Sequence, residues 1–171
     1  MAVSVNNYYI GKGIVSFKPD GGSWRDLGNV TEFEYTPEAE NLEHYSSRSG
    51  IKTLDLTVNL TQSGALRMVM EEYVLENLGM AAMGDVQTAA SGYSYIDIFS
   101  KSQIFGEVRF VGTNDVGPKY QANFLRVDWN PVSPLSMISE EFATIEVTGK
   151  VASVAGAWGT IIDLATVSGS L

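Results

Sequence analysis

The chain of 171 residues contains no cysteine and a single histidine, His44. Without thiols there can be no disulfide and no thiolate metal site, and one imidazole leaves a zinc site short of ligands. Basic side chains are also scarce: 11 Lys and Arg stand against 20 Asp and Glu, for a net charge of −9. They are scattered, so the surface lacks the clustered cations that grip phosphate backbones. No apolar run approaches the roughly 18 residues of a membrane span. The opening MAVSVNNYYIGKG has neither the basic nor the apolar segment of a secretory signal, so neither membrane insertion nor unaided secretion is expected. The sequons Asn29-Val30-Thr31 and Asn59-Leu60-Thr61 then read as strand chemistry.

Chemical motifs are missing as well. Gly11-Lys12-Gly13 lacks the spacing and the Lys-Ser/Thr ending of a phosphate loop and reads as a strand bulge. His44 lies near Ser46, Ser47 and Ser49, but no Gly-x-Ser-x-Gly elbow exists. Calcium-loop spacing is absent, and Asp97, Asp128 and Asp163 are isolated carboxylates. The expectation is no catalytic residue, no metal and no cofactor.

What is present is a body of ordinary composition, 44% hydrophobic and 11% aromatic. A chain of this length can bury about 70% of the surface its unfolded form exposes, so residues 1–171 are expected to form one domain. Its centre is the stretch Gly28–Leu60. An alternating segment, Gly28–Tyr35, is followed by the polar TPEAENLEHYSSRSG at 36–50 and a second alternating segment, Ile51–Leu60. In the latter Leu54, Leu56, Val58 and Leu60 occupy one face and Thr53, Asp55, Thr57 and Asn59 the other, as in a strand with one dry side. The polar interval has no helical period and reads as a long inter-strand loop. Ordering fifteen residues costs roughly 15–30 kcal/mol of backbone entropy, so a partner surface is expected to order it.

Elsewhere, strands are expected at Tyr8–Lys18, Tyr93–Phe99, Gln103–Gly112, Lys119–Asp128 and Glu141–Ala152, separated by Gly, Asn and Pro turns such as Asn130–Pro134. In the last strand Ala143, Ile145 and Val147 oppose Thr144, Glu146 and Thr148. Leu66, Val69, Met70, Tyr73, Val74 and Leu78, after Ser63 as N-cap and before Gly79, predict one helix over about 64–78. Met80–Gly92 reads as a second loop. Residues 1–7 read as an N-terminal arm, and 153–171, with Trp158, Ile161, Ile162 and Leu164, as a tail that packs on the sheet or on a neighbour.

The order of these elements, with Leu27-Gly28-Asn29-Val30-Thr31-Glu32-Phe33 leading into a long loop that holds His44-Tyr45-Ser46-Ser47, resembles the major tail tube protein of long-tailed, non-contractile bacteriophages. The resemblance covers nearly the whole chain as an arrangement, while its motif-like parts, Leu27–Phe33 and His44–Gly50, are short. It implies a mainly β fold, a two-sheet sandwich or split barrel with one flanking helix, assembled as stacked, hexameric rings into a hollow tube. Such a virion protein, assembled in the bacterial cytoplasm, conducts DNA from capsid to host. Its partners would be other copies of itself, the tape measure protein and DNA in the lumen, and tail terminator and distal tail proteins at the ends. Carried onto this chain, inter-ring contact falls on Glu38, Asn41, Leu42, Glu43, His44, Tyr45, Ser46, Ser47, Arg48 and Gly50. Candidates for a lumen without cations are Thr53, Asp55, Thr57, Asn59, Thr144, Glu146 and Thr148. Rival readings are the inner tube of a contractile tail or secretion system, a monomeric carbohydrate-binding sandwich using Trp24, Trp129 and Trp158, and a small hydrolase.

Overall fold

A computed structural model describes residues 7–130 and 134–164. Residues 1–6 of the expected arm at 1–7, the end of the tail at 165–171 and part of the Asn130–Pro134 turn lie outside the described residues.

Among the described residues the fold is mainly β with one helix, as expected. Gly13–Pro19 (β1) alternates, turning Val15 and Phe17 inward, and pairs with the short Arg25–Asp26 (β2). Val30–Ser46 (β3) and Thr53–Met70 (β4) form a long antiparallel hairpin. After the helix Leu75–Ala82 (α1), Val86–Thr88 (β5) and Ser94–Ile96 (β6) make a two-stranded sheet. Ile104–Gly112 (β7), Tyr120–Asn130 (β8), Ile145–Val151 (β9) and Gly159–Asp163 (β10) complete the chain.

Eight strands belong to one antiparallel sheet in the order β2-β1-β7-β8-β9-β4-β3, with β10 beside β8. One edge of β8 serves two partners, β10 along 120–124 and β9 along 127–130. The sheet curls on itself instead of dividing into two comparable sheets. Its inward side chains, among them Phe17, Leu66, Met68, Val108, Val127, Trp129 and Ile145, make a single core. Strand β1, which beyond its short pairing with β2 has an open edge, and the end strand β3 do not pair. They flank a cleft of about 380 Å³ lined by Tyr9, Lys12, Val15, Val30, Phe33 and Phe110. Phe33 reaches across toward β7, its ring stacked on Phe110 at 5.6 Å.

Three expected elements are corrected. Met80–Gly92, expected as a loop, holds the end of α1 at Ala82 and the strand Val86–Thr88. Residues 36–46 are strand rather than loop, leaving only Ser47–Lys52 as a turn. Residues 64–70 are also strand, paired with β9 from Gly64–Val151 to Met70–Ile145, so the helix begins at Leu75 and contains Gly79. The physical reason is the inward alternation of Leu66, Met68 and Met70, all fully buried, which a sheet satisfies and a helix would scatter around its axis. The helix that does form is held by Asn77. Buried completely, its Nδ2 donates to the carbonyls of Leu27 at 3.1 Å and Glu72 at 3.0 Å, while its Oδ1 accepts from Arg25 at 2.5 Å. Burial lowers the Arg25 pKa, opposed by the nearby charges of Glu76 and Asp26.

Candidate functional site

Beyond Gly64 strand β4 has, among the described residues, no neighbour except β3, because β9 reaches no farther. Residues 38–46 and 53–63 therefore leave the body as a two-stranded ribbon, about 30 Å long at about 3.3 Å per residue. Both of its faces are open. Leu42, Leu54, Leu56, Val58 and Leu60 keep between 42% and 57% of their surface exposed, and Ile51 at the turn keeps 81%. The expected dry face of β4 is thus uncovered in the single chain, since the ribbon extends past any second layer.

Register explains which residues share a face. Near the body, Phe33–Met68 and Tyr35–Leu66 are cross-strand pairs on the core side, and Glu34–Arg67 is on the opposite side. Alternation along β3 would carry Leu42 and His44 to that opposite side. On β4 the pairing slips by one between Glu40–Thr61 and Asn41–Asn59, leaving Leu60 unpartnered. The slip moves Val58 and Leu56 across, so that Leu42–Val58 and His44–Leu56 are neighbouring pairs on the outer side. Asn41–Asn59 and Glu43–Thr57 take the side that continues the core face. A second slip, between His44–Leu56 and Tyr45–Leu54, leaves Asp55 unpartnered in the ladder.

Polar contacts stiffen the ribbon and anchor its root. His44 Nδ1 lies 2.6 Å from Asp55 Oδ1, and Tyr45 donates to Glu43 at 2.5 Å, which raises the tyrosine pKa. Ser63 donates to Glu38 at 2.8 Å, and Lys150 on β9 donates to both oxygens of the same carboxylate at 2.7 and 2.9 Å. These bonds, led by that from Lys150, lower the Glu38 pKa. Arg67 ties three strands together: it donates to Glu146 at 2.7 Å and to Glu32, and lies 3.5 Å from Glu34. Its bond to Glu146, then that to Glu32, raises the guanidinium pKa further above its ordinary range.

The contact residues expected from Glu38 to Gly50 therefore sit together, on β3 and its turn. The lumen candidates divide. Thr53, Asp55, Thr57 and Asn59 are on the ribbon, but Glu146 and Thr148 pair with Val69 and Arg67 in the body, and Thr144 precedes β9. Glu146 is paired with Arg67, which it shares with Glu32 and Glu34, so it is not an open lining residue. No serine hydroxyl bonds to His44 among the described residues. Nor, among them, is any group of three or more His, Cys, Asp or Glu placed to hold a metal. The tryptophans do not make a platform: Trp129 is in the core, Trp158 packs against it, and Trp24 lies under the Arg109 guanidinium at 4.3 Å. Among the described residues, no helix is long and apolar enough to cross a membrane.

Sequence reasoning missed the root of the hairpin. There Gly28 adopts φ +78°, and a Cβ on it would sit 2.1 Å from the Glu72 carboxyl carbon. The peptide of Asn29 then meets Glu71 and Glu72, whose side chains accept from the Asn29 Nδ2 at 2.5 Å and the Asn29 backbone N–H at 3.2 Å. The signal was the glycine before a strand and the paired glutamates after one.

Compared with known proteins, the sequence matches the family model described as protein of unknown function UCP028589, over residues 8–94 and 89–156. No curated protein matches it.

Proposed function

The chain belongs to that family, and we propose that it is a structural subunit that polymerises with its own copies, as the tail tube protein of a long-tailed bacteriophage does. Stacked rings of the body would enclose a channel for DNA, and the ribbon would reach from one ring to the next. The observation that carries this reading is the ribbon itself. A core-bearing body has no need of a 17-residue strand whose outer half holds five uncovered aliphatic side chains on and across from it. Three of them, Leu42, Val58 and Leu56, share the outer side, and apolar side chains gathered and exposed in this way are characteristic of protein interfaces. The net charge of −9 supports the channel part of the proposal, because a conduit must not bind the phosphates it passes.

The test is the assembly state of purified protein through a concentration series, followed by light scattering and negative-stain electron microscopy. Hollow tubes or stacked rings are expected. A protein that stays monomeric throughout the series would refute the proposal.

A further inference from the structure

The two ends of the β3–β4 hairpin carry opposite charge. At the turn, Arg48 and Lys52 flank the exposed Ile51, and no acidic residue occurs between Ser46 and Leu54. Neither cation has an ion-pair partner among the described residues. At the root, beside the first cross-strand pair Val30–Met70, a groove of about 390 Å³ is lined by Asn29, Glu71, Glu72, Tyr73, Phe142 and Ala143. Its lining contains two carboxylates and no cation. Glu140 and Glu141 precede Phe142 on the same segment, and Phe142 is 98% exposed. The groove wall is held in place: Tyr73 donates its hydroxyl to the carbonyls of Ser136 at 3.1 Å and Thr144 at 3.4 Å. The backbone N–H of Glu71 donates to the Asn29 carbonyl at 2.9 Å.

We propose that the turn Arg48–Lys52 of one copy docks into the Glu71–Glu72–Phe142 groove of the next. Ile51 would lie against Phe142, and the two cations would face the carboxylates. The occupant follows from complementarity: the chain offers a basic end with one bare aliphatic side chain, and an acidic groove with one bare aromatic. Turn and groove lie at opposite ends of one hairpin, so a chain cannot fill its own groove. The contact is head-to-tail between unlike surfaces, and repetition along the hairpin axis propagates an open stack instead of closing a dimer. This inference rests on the assembly reading above and names the partner surface that the ribbon meets.

Two charge-reversed proteins test it: a turn variant, R48E/K52E, and a groove variant, E71K/E72K. Alone, each should raise the critical concentration for assembly by roughly tenfold to a hundredfold, as reversal turns two attractive pairs into repulsive ones. An equimolar mixture should assemble at the wild-type concentration, because the acidic turn of one variant meets the basic groove of the other, and conversely. A mixture no better than its components, or a groove variant that assembles like wild type, would overturn the proposal. Circular dichroism melts establish that each variant is folded. Because Glu72 accepts from the Asn29 backbone, E71K/F142S replaces the groove variant if the latter melts early, and it must then lose assembly. The two proposals fail differently. Wild-type tubes with unaffected variants would sink the docking site alone, whereas a wild type that never assembles would sink the assembly reading itself.

Discussion

Replacing Leu42, Leu56 and Val58 together by threonine separates what holds the chain folded from what joins it to other copies. Threonine suits a strand, so the ladder keeps its local preference. In the single chain these side chains remain 57%, 55% and 42% exposed, so roughly half of each is still available for burial. Full burial of a leucine or valine side chain contributes about 2 kcal/mol, so covering the remaining halves contributes about 1 kcal/mol each. For the three together that is about 3 kcal/mol per contact, or a critical concentration about a hundredfold higher in the variant, at 1.4 kcal/mol per factor of ten. Folding should hardly change, since substitutions on an open surface cost within about 0.5 kcal/mol. Sedimentation across a concentration series reads the first quantity and urea denaturation the second. A loss of stability on the scale of core truncation, about 2–5 kcal/mol, would mean that the row is buried within the chain. Wild-type assembly would mean that it is not an interface. Either result refutes the reasoning.

Asn77→Ala should destabilise the fold by about 2–4 kcal/mol in the same denaturation assay, because it leaves the carbonyls of Leu27 and Glu72 without their donor and Arg25 without its acceptor. Glu38 has a folded-state pKa below its ordinary value of 4.5, so the stability it contributes is complete above that value and is lost as pH falls through the lowered one. An NMR titration of the Glu38 carboxyl should give a midpoint under 4.5 that rises toward it in Lys150→Met.

Much of the body was legible in the sequence. Gln103–Gly112 and Lys119–Asp128 differ from β7 and β8 by a residue or two, because flanking Gly, Asn and Pro mark their ends. The inward set Ile145 and Val147 followed from alternation alone, since β9 has one covered face. The polar interval 36–50 defeated the same logic. A ribbon with two open faces has no hydrophobic contrast to reveal it, and its outer strand carries Glu38, Glu40, Glu43 and Pro37, residues that also populate loops. The segment 64–70 failed for the opposite reason. Its residues include good helix formers, and Leu66, Val69, Met70 and Tyr73 fit a helical spacing as Leu66, Met68 and Met70 fit a strand, so only pairing with β9, which is remote in sequence, decides between them. Charge at the two hairpin ends was present in the sequence, but their separation along one axis became visible only once residues 36–46 were recognised as strand.

The unpartnered Leu60 has a consequence for how this chain can change over generations. Exchanging the ribbon's faces by substitution would require simultaneous replacements on both strands. Losing the codon for Leu60 would leave the faces as they are, because Thr61 opposite Glu40 would then be followed directly by Asn59 opposite Asn41, with Val58 and Leu56 still on the outer side. Likewise, lengthening each strand beyond Leu60 by two residues keeps every face and adds about 7 Å of reach. Related chains that retain the same mode of contact should therefore vary in ribbon length by even steps, with or without the single odd residue.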